Sequence, residues 1–596
     1  MQINDFSVTF STINGSGSAT ANNTILRAIS KMGVPVSARN IFPSNIQGLP
    51  TWYNLRVNAA GYKGRQEHCH ILVAMNPETV AADLEKVVEG GLVLINEEIL
   101  LDELPAGMKK IPMPVKMLLE ASKTPTNLHI YLANMVYVGI LAWLVGIDLE
   151  KIEAALQYHF DHRQSAVEPN LKVVKIAFDW AHQNLANPGD YKLAALEHAE
   201  NKILVDGNTA GALGALFGGL QYAAWYPITP ATGLAEALNE YIPKLRTDPQ
   251  TGTTNCVVVQ AEDELAAIGM VVGAGWAGLR AMTSTSGPGL CLMAEYLGLA
   301  YFAEVPIVVW DVQRVGPSTG LPTHTSQGDL TFTYFISHGD KDMIILLPGD
   351  VEECFEFGWK ALDIAEQLQT PVIVLSDLEL GMNIWEADPF AYPDHKMERG
   401  KVLWEKDLET LLKKSGQWGR YQDIDGDGIP YRTILGNLHE KAAYFTRGTG
   451  HDEFAHYSEE NRDWEKNLQR LKKKVESAKK LVPPAEVLNE EKGRVGLIAY
   501  GSTKMSALEA VAMLNRSGRQ VDFLRIKALP FTDEVETFLK THDRIYIVEA
   551  NRDGQMRQIL NVNFPDYAAK LRSAARCDGL SLSAEWIVSQ IEKMEG

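Results

Sequence analysis

One carboxylate stands out in an apolar part of this sequence. Glu264 begins a run of small and apolar residues, and the strand pattern that follows ends in Ser-Gly-Pro-Gly at residues 286–289. Small residues let helices approach closely but carry no ionisable group. A glutamic acid among them can share a proton with a ring nitrogen of a bound cofactor. Glu262 and Asp263 are adjacent candidates, and an acid that only complements a helix dipole is the alternative interpretation.

Two loops carry groups that suit a small carboxylate ligand. Residues 226–230 read Tyr-Pro-Ile-Thr-Pro, and residues 312–330 place Arg314 in a sequence rich in Gly, Pro and Thr. A carboxylate is held best by a fixed cation with paired donors, and arginine supplies these better than lysine. Nearby hydroxyls could polarise a carbonyl. The alternatives are an ordinary turn and an arginine in a surface salt bridge.

Together these segments resemble the 2-oxoacid:ferredoxin oxidoreductases, a family that uses thiamine diphosphate. Residues 257–293 resemble a pyrimidine-binding domain, in which a Glu precedes a small-residue helix, a strand and Thr-Ser-Gly-Pro-Gly. Residues 226–230 reproduce the family's Y-P-I-T-P signature, and residues 314–323 resemble its R-x-G-P-S-T-G-x-P-T loop. The family spacing to Ala267 and Gly273 favours Glu264 among the three adjacent acids.

The resemblance implies a role for each matching residue. Glu264 is the implied catalytic residue, because the family's Glu bonds the aminopyrimidine ring and promotes its imino form. Thr229 and Arg314 are implied to bind the substrate carboxylate, and Thr323 to reach the C2 oxygen. The implied cofactor-binding residues are Tyr226, Pro227, Ile228, Thr229, Glu264, Ser286, Gly287 and Pro288.

The reaction implied is oxidative decarboxylation of a 2-oxo acid, or its reverse, with coenzyme A as acyl acceptor and ferredoxin as electron carrier. The fused order of γ and α regions and residues 320–330 look like members that use 2-oxoglutarate. Pyruvate, branched-chain and aryl 2-oxo acids are alternatives within the family. Two other classes stay open: a non-redox thiamine-dependent lyase, and a non-catalytic assembly or coenzyme A-binding subunit.

The cysteines argue against an iron–sulfur site on this chain. Cys69, Cys256, Cys291, Cys354 and Cys577 are scattered without a C-x-x-C pair, so they do not form a four-cysteine cluster motif. The resemblance therefore implies a beta subunit that holds the iron–sulfur cluster and shares the thiamine diphosphate with this chain. We expect a dimer of heterodimers, a heterotetramer, by symmetry.

An acidic run at residues 423–428 has two near matches to cation-binding motifs. Asp423, Asp425 and Asp427 have the spacing of a calcium loop, but position twelve is Ile434 rather than Glu. The run also mimics the G-D-G of a diphosphate-binding domain, although no buried strand precedes it and no Asn completes it. We predict no metal site on this chain and place Mg²⁺ on the beta subunit. Whether the acidic turn holds a cation stays open.

A glycine-rich loop follows the first strand pattern. Asn14, Gly15, Ser16, Gly17 and Ser18 open a helix, so their amides could hold a phosphate. The pattern lacks the third glycine and the later acid of a dinucleotide site. By resemblance this region is associated with coenzyme A, with Ser44 and Asn45 as further contacts. A structural tight turn is an equally weighted alternative.

The elements that must position these groups alternate between strand and helix patterns. We predict a multidomain α/β protein with parallel sheets flanked by helices. Residues 1–190 form a γ domain, 200–385 a pyrimidine-binding domain, 386–492 a linking or inserted segment, and 493–596 a domain resembling the transketolase C-terminal domain. The strand that ends at Gln260 is expected to be buried.

The charge and composition of the chain limit the partners that it can bind. A net charge of -19 opposes binding to nucleic acid, which requires clustered Lys and Arg. The N-terminus lacks a signal-peptide pattern, and residues 129–147, although apolar, contain polar residues and lack basic flanks. We expect a buried helix there, no membrane association, and reduced thiols in the cytoplasm.

Overall fold

The computed structural model describes residues 1–42, 48–101, 103–197, 201–394, 396–489 and 493–596. The chain forms two compact units. Unit 1 comprises residues 1–205, 383–389 and 582–586. Unit 2 comprises residues 206–382, 390–581 and 587–596.

The β-strands are numbered in chain order. They are β1 Gln2–Ile3, β2 Asp5–Ile13, β3 Val36–Ile41, β4 Pro50–Asn58, β5 Cys69–Ala74, β6 Val87–Asn96, β7 Lys109–Met113, β8 Tyr191–Lys192, β9 Ile203–Val205, β10 Tyr222–Trp225, β11 Val257–Gln260, β12 Ala281–Thr285, β13 Ile307–Gln313, β14 Ile344–Leu346, β15 Pro371–Asp377, β16 Trp385–Ala387, β17 Glu486–Asn489, β18 Val495–Tyr500, β19 Val521–Ile526, β20 Ala528–Leu529, β21 Arg544–Glu549 and β22 Leu571–Ala575.

The α-helices follow the same order. They are α1 Ser18–Lys31, α2 Val80–Leu84, α3 Val115–Ala121, α4 His129–Val145, α5 Leu149–His159, α6 Gln164–Asn184, α7 Gly207–Phe217, α8 Thr232–Leu245, α9 Glu264–Trp276, α10 Gly287–Ala303, α11 Leu330–Tyr334, α12 Val351–Leu368, α13 Leu378–Met382, α14 Glu405–Ser415, α15 Asn461–Ala478, α16 Lys504–Arg516, α17 Asp533–Thr541, α18 Gln555–Asn563 and α19 Ala584–Glu595. Short 3₁₀ turns lie at Thr126–Leu128, Gly501–Thr503 and Pro565–Lys570.

Unit 1 is built on an eight-stranded mixed sheet. Its order is β7-β6-β5-β2-β4-β3-β16-β9, parallel from β7 to β2 and antiparallel from there on. Helix α4 belongs to its core and packs against α6. Among the described residues one helical segment, Thr126–Val145, is long and apolar enough to cross a membrane, and 67% of its most apolar window is buried in the fold. The segment therefore forms the buried helix expected from the sequence.

Unit 2 contains a seven-stranded sheet of order β11-β10-β12-β13-β15-β14-β20. All neighbouring pairs are parallel except β14 with β20. The expectation of a buried strand ending at Gln260 is wrong. That strand, β11, lies at the sheet edge beside β10, and Val257 is 52% exposed. An apolar run could not distinguish an edge strand from a central one, because position in the sheet is set by pairing.

The last part of unit 2 forms a five-stranded sheet of order β17-β19-β18-β21-β22. It is parallel except for β17, which pairs antiparallel with β19. One hydrophobic cluster joins apolar residues of this sheet and of the seven-stranded sheet, among them Ile373 and Ile498. The multidomain α/β architecture with parallel sheets flanked by helices is thus confirmed.

Candidate active site

The predicted site segments all lie at the carboxyl ends of neighbouring parallel strands in the seven-stranded sheet. Strands β11, β10, β12 and β13 are parallel neighbours in that order. Residues 226–230, 261–264, 286–289 and 314–323 come directly after their carboxyl ends. Ligand sites of open α/β sheets lie at this edge. The fold therefore brings sequence segments nearly 100 residues apart to one side of the sheet.

The three adjacent acids at the start of α9 have different surroundings. Glu262 is exposed, and Asp263 caps the helix by accepting a hydrogen bond from the Ala266 backbone nitrogen at 2.6 Å. Glu264 is only 9% exposed. Its carboxylate has no hydrogen bond or ion pair with any residue in the described ranges. Of the three, Glu264 is the acid that is both buried and free to meet a ligand.

The Glu264 side chain lies against the first turn of α10. A methyl group added at Gly289 would lie 2.7 Å from Glu264 Cγ and 2.9 Å from its Oε1. Only glycine leaves room for the carboxyl group at this point. Ser286 precedes the helix and is buried, and its Oγ has no hydrogen-bond partner within the described parts of the chain. Glu264 and the 286–289 turn therefore pack directly against each other.

Arg314 joins the two substrate loops. Its Nη1 donates to the carbonyl oxygen of Thr229 at 2.6 Å, and its Nε is buried with no partner among the described residues. Burial lowers the pKa of Arg314, and the negative charge of Asp329 opposes that shift. The guanidinium is therefore held in a partly desolvated position beside the 226–230 loop, where further donors are open to a ligand.

Thr323 is buried on the returning limb of the same loop. Its Oγ1 lies 3.4 Å from His324 Nδ1, and the Val315 backbone nitrogen donates to the His324 carbonyl at 3.1 Å. Tyr226 is partly exposed. No hydrogen bond links Thr323 to Arg314 or Glu264 in the part of the chain that the structure describes.

A cavity of about 620 Å³ opens beside Arg314. Gly287 and Pro288 line it, as do Asp329 and residues of the C-terminal sheet region such as Asn551. Thr229 instead lines a neighbouring cavity of about 390 Å³. The structure pairs Arg314 with Thr229 and Glu264 with the 286–289 turn, and no hydrogen bond joins the two pairs among described residues.

Gln327 anchors the 312–330 loop to the C-terminal sheet region. Its Nε2 donates to the Tyr500 carbonyl at 2.9 Å, and its Oε1 accepts from the Ala550 backbone nitrogen at 2.9 Å. Asn551 Nδ2 donates to the Gln327 carbonyl at 3.0 Å. The C-terminal region therefore helps to hold the loop that carries Arg314.

Sequence reasoning missed two acids beside this site, the buried Asp311 and the partly buried Asp329. Asp311 lies in β13, and Asp329 follows the Arg314 loop. Asp329 lies inside the 312–330 segment, and Asp311 immediately precedes it. An acid within a strongly apolar strand, Trp-Asp-Val-Gln at residues 310–313, was the signal that could have found Asp311.

The acidic turn at residues 423–428 is occupied by a lysine. Lys401 Nζ lies 2.7 Å from Asp425 Oδ2 and 2.8 Å from Asp427 Oδ1. Asp423 Oδ1 accepts a hydrogen bond from the Gly428 backbone nitrogen at 3.0 Å. No group of three or more His, Cys, Asp or Glu side chains in the described ranges is arranged to hold a metal ion. The turn's cation is an ammonium group of the protein itself.

The glycine-rich loop of unit 1 lies between β2 and α1. Gly17 has φ 81°, a left-handed conformation that suits glycine. Asn134 Nδ2, from α4, donates to the Ser16 carbonyl at 2.7 Å, and Ser18 begins the helix. Asn14 exchanges backbone hydrogen bonds with residues 48 and 49. Ser44 and Asn45, the other predicted coenzyme A contacts, lie outside the described residues.

Comparisons with known proteins agree with this geometry. The family described as pyruvate flavodoxin/ferredoxin oxidoreductase, thiamine diphosphate-binding, matches residues 213–410. The pyruvate ferredoxin/flavodoxin oxidoreductase family matches residues 7–180. The first covers the strands that carry Glu264 and Arg314, so unit 2 contains a thiamine diphosphate-binding domain.

Relatives resemble the chain over most of its length. The 2-oxoacid:ferredoxin oxidoreductase 1 alpha subunit of Sulfurisphaera tokodaii is 30% identical over 587 residues, 90% of this chain and 90% of that protein. The 2-oxoglutarate synthase subunit KorA of Methanocaldococcus jannaschii is 34% identical over 353 residues, 58% of this chain and 88% of KorA.

A solved structure has the same architecture. It is the 2-oxoglutarate:ferredoxin oxidoreductase from Magnetococcus marinus with 2-oxoglutarate, coenzyme A and succinyl-CoA bound. It is 28% identical, covers 99% of both chains, and gives a TM-score of 0.89. With motifs, fold and relatives in agreement, this chain belongs to the alpha subunits of the 2-oxoacid:ferredoxin oxidoreductases.

Proposed function

We propose that this alpha subunit, together with a beta subunit, catalyses the conversion of 2-oxoglutarate, coenzyme A and oxidised ferredoxin to succinyl-CoA, CO₂ and reduced ferredoxin, or the reverse. The observation that carries the proposal is the free, buried carboxylate of Glu264 at the same sheet edge as Arg314, which is bonded to Thr229. The choice of 2-oxoglutarate is supported by the ligands of the Magnetococcus marinus enzyme and by the KorA relatives. Pyruvate, branched-chain and aryl 2-oxo acids are the alternatives.

Glu264 fits the aminopyrimidine end of thiamine diphosphate. When bound, that cofactor supplies the nucleophilic carbon that attacks the carbonyl of a 2-oxo acid. Glu264 would hold a proton against the ring nitrogen, because its carboxylate is buried, free, and backed by the glycine space at Gly289. Residues 226–229 and 286–288 would line the ring's pocket.

Arg314 would bind the substrate carboxylate. One of its nitrogens is engaged by the Thr229 carbonyl, which fixes the plane of the guanidinium and leaves its other donors for a ligand. The Thr229 side chain would add a hydroxyl donor, and the Thr323 hydroxyl would reach the C2 carbonyl oxygen. These two hydroxyl roles are supported by the family pattern in the loops that meet at Arg314.

The remaining parts would come from the beta subunit. It would carry the diphosphate-binding domain with Mg²⁺ and the iron–sulfur cluster that passes electrons to ferredoxin, in a cytoplasmic dimer of heterodimers. On this chain, residues 1–190 would serve as a γ domain in which residues 14–18 contact coenzyme A. Residues 200–385 would bind the pyrimidine, residues 493–596 would support the site, and residues 386–492 would link them.

A paired substitution tests the role of Glu264 in the assembled complex. We expect Glu264→Gln to lower ferredoxin reduction, driven by 2-oxoglutarate and coenzyme A, by about 10²–10⁴-fold, the range for loss of a general acid–base group. The matched control is Glu262→Gln, two residues away on an exposed position, which should retain wild-type turnover. Full activity of the Glu264 variant would refute its role. Comparing kcat/KM across 2-oxoglutarate, pyruvate and branched-chain or aryl 2-oxo acids decides the substrate.

A further inference from the structure

Two acids whose carboxyl groups have no hydrogen-bond partner in the described parts of the chain lie close to each other, and one of them, Asp329, is close to Arg314. Asp311, in β13, is 0% exposed, and neither of its carboxylate oxygens has a hydrogen-bond partner within the described ranges. It is in register with Thr285 of β12. Asp329 lines the 620 Å³ cavity together with Arg314, and its Oδ2 is likewise buried without a partner among those residues.

The Asp329 side chain packs against the 286–289 turn. A methyl group added at Gly287 would lie 2.6 Å from Asp329 Oδ2. The Asp329 backbone nitrogen donates to Gln313 Oε1 at 3.0 Å, which fixes the start of α11 against β13. The Asp329 carboxyl group therefore has a defined position between the 286–289 turn and the cavity.

Within the part of the chain that the structure describes, few charged groups face this pair. Arg314 acts on Asp329 from the loop after β13, and the Cys291 thiol faces both acids from α10. Arg552 and Arg576 line the same cavity, but they form ion pairs with Asp553 and Asp578, each at 2.7 Å. Among the described residues, Arg314 is thus the cation that acts on Asp329.

The two acids cannot both be ionised easily. Burial raises the pKa of Asp311 well above its ordinary value, and the charge of Asp329 adds to the shift. Burial also raises the pKa of Asp329 to about 6, although Arg314 opposes the shift. Near neutral pH the arrangement is a neutral Asp311, an ionised Asp329 and a charged Arg314, with no net charge.

We propose that Asp329, backed by Asp311, is a positioning residue that couples binding of the substrate carboxylate at Arg314 to uptake of one proton. This inference rests on the proposed function of Arg314. A carboxylate that reaches Arg314 would bring a second negative charge next to Asp329. Taking one proton from solvent through the cavity neutralises Asp329 and restores zero net charge.

The sign of the pH dependence follows from this coupling. Below about pH 6 Asp329 is already protonated in the free enzyme, so ligand affinity does not change with pH. Above that value each binding event must take up a proton. The affinity then falls by up to about tenfold per pH unit, the limit for one linked proton.

Oxamate tests the coupling in the assembled wild-type enzyme. It carries a carboxylate beside a carbonyl, its amide resists attack, and it remains singly charged over the pH range used. We expect its inhibition constant against 2-oxo acid oxidation to be flat below about pH 6 and to rise up to tenfold per unit above it. A flat inhibition constant from about pH 5.5 to about pH 8 overturns the inference.

Three variants separate coupling from a structural role. Asp329→Asn should remove the pH dependence of the oxamate inhibition constant. Asp311→Asn should keep both the pH dependence and the position of the break, because Asp311 is already neutral in the wild type and its oxygens make no hydrogen bond to Asp329 among the described residues. Cys577→Ser, the control on the same cavity, changes an exposed thiol and no ion pair, and should retain the wild-type profile. An unchanged profile in Asp329→Asn overturns the inference, and if that variant does not fold, loss of the pH dependence in Asp311→Asn does.

Failure of the proposed function would look different. An assembled wild-type complex that oxidises no 2-oxo acid refutes the function itself. A complex that is active while its oxamate inhibition constant is independent of pH refutes only the coupling.

Discussion

At the scale of single residues, the space left by Gly289 decides where Glu264 can lie. Gly289→Ala would place a methyl group within 2.7 Å of Glu264 Cγ and against Thr285 Oγ1, so the carboxyl group must move. We expect the variant complex to lose about 10²-fold or more in kcat, since a shift of about 1 Å can have that effect on a reaction. Overpacking should also lower the free energy of unfolding by about 1–3 kcal/mol. Steady-state kinetics and urea denaturation measure the two effects.

Gly273→Ala is the matched control for stability. Gly273 lies in α9, the helix that Glu264 begins, but an added methyl group there meets no described atom within 4 Å. Alanine should stabilise the helix by up to about 1 kcal/mol relative to glycine. If Gly289→Ala were as stable and as active as the wild type, the close fit between Gly289 and Glu264 would be wrong.

At the scale of elements, a buried ion network fastens α15 to the end of α10. Glu304 caps α10 and its side chain is 0% exposed, and its Oε2 accepts from Arg470 at 3.1 Å and from Lys474 at 2.9 Å. Glu304→Gln would leave two buried cations without their counter-charge. We expect the free energy of unfolding to fall by about 3–5 kcal/mol, measured by urea denaturation.

The pH dependence of the stability lost in Glu304→Gln gives a second test. Burial alone would raise the pKa of Glu304, but the charges of Arg470 and Lys474 outweigh it and hold the pKa at about 2. The stabilisation is therefore complete above the ordinary carboxyl pKa and is lost as the pH falls toward 2. The difference in free energy of unfolding between wild type and Glu304→Gln should become smaller as the pH falls from about 5 to about 2. Glu409→Gln, which breaks an exposed pair with Lys413, should change little at any pH. A difference in free energy of unfolding that grew on acidification would contradict the stabilising role of ionised Glu304.

At the scale of the whole molecule, the chain offers a candidate pyrimidine site but no evident diphosphate site among the residues that the structure describes. Residues 423–428 are occupied by Lys401, and no metal-binding group of acids, histidines and cysteines occurs in the described ranges. We therefore expect thiamine diphosphate with Mg²⁺ to bind the isolated chain weakly and to bind tightly after the beta subunit is added. Isothermal titration calorimetry measures both. Tight binding to the isolated chain would instead favour the non-redox lyase.

The sequence by itself determined the fold class, the family and the segments of the candidate site. Alternating strand and helix patterns indicated parallel α/β sheets, and local motifs are legible because turn and cofactor chemistry depend on neighbouring residues. Residues 129–147 were correctly predicted as a buried helix because their polar residues and flanks do not suit a membrane.

Only the tertiary structure decided how those segments meet. It distinguished Glu264 from Asp263 by giving Asp263 a capping hydrogen bond, moved the strand ending at Gln260 to a sheet edge, and filled the acidic turn with Lys401. It also brought Asp329 close to Arg314, and Asp311 close to Asp329. These features depend on strand order and on contacts between distant residues, which local sequence patterns do not encode.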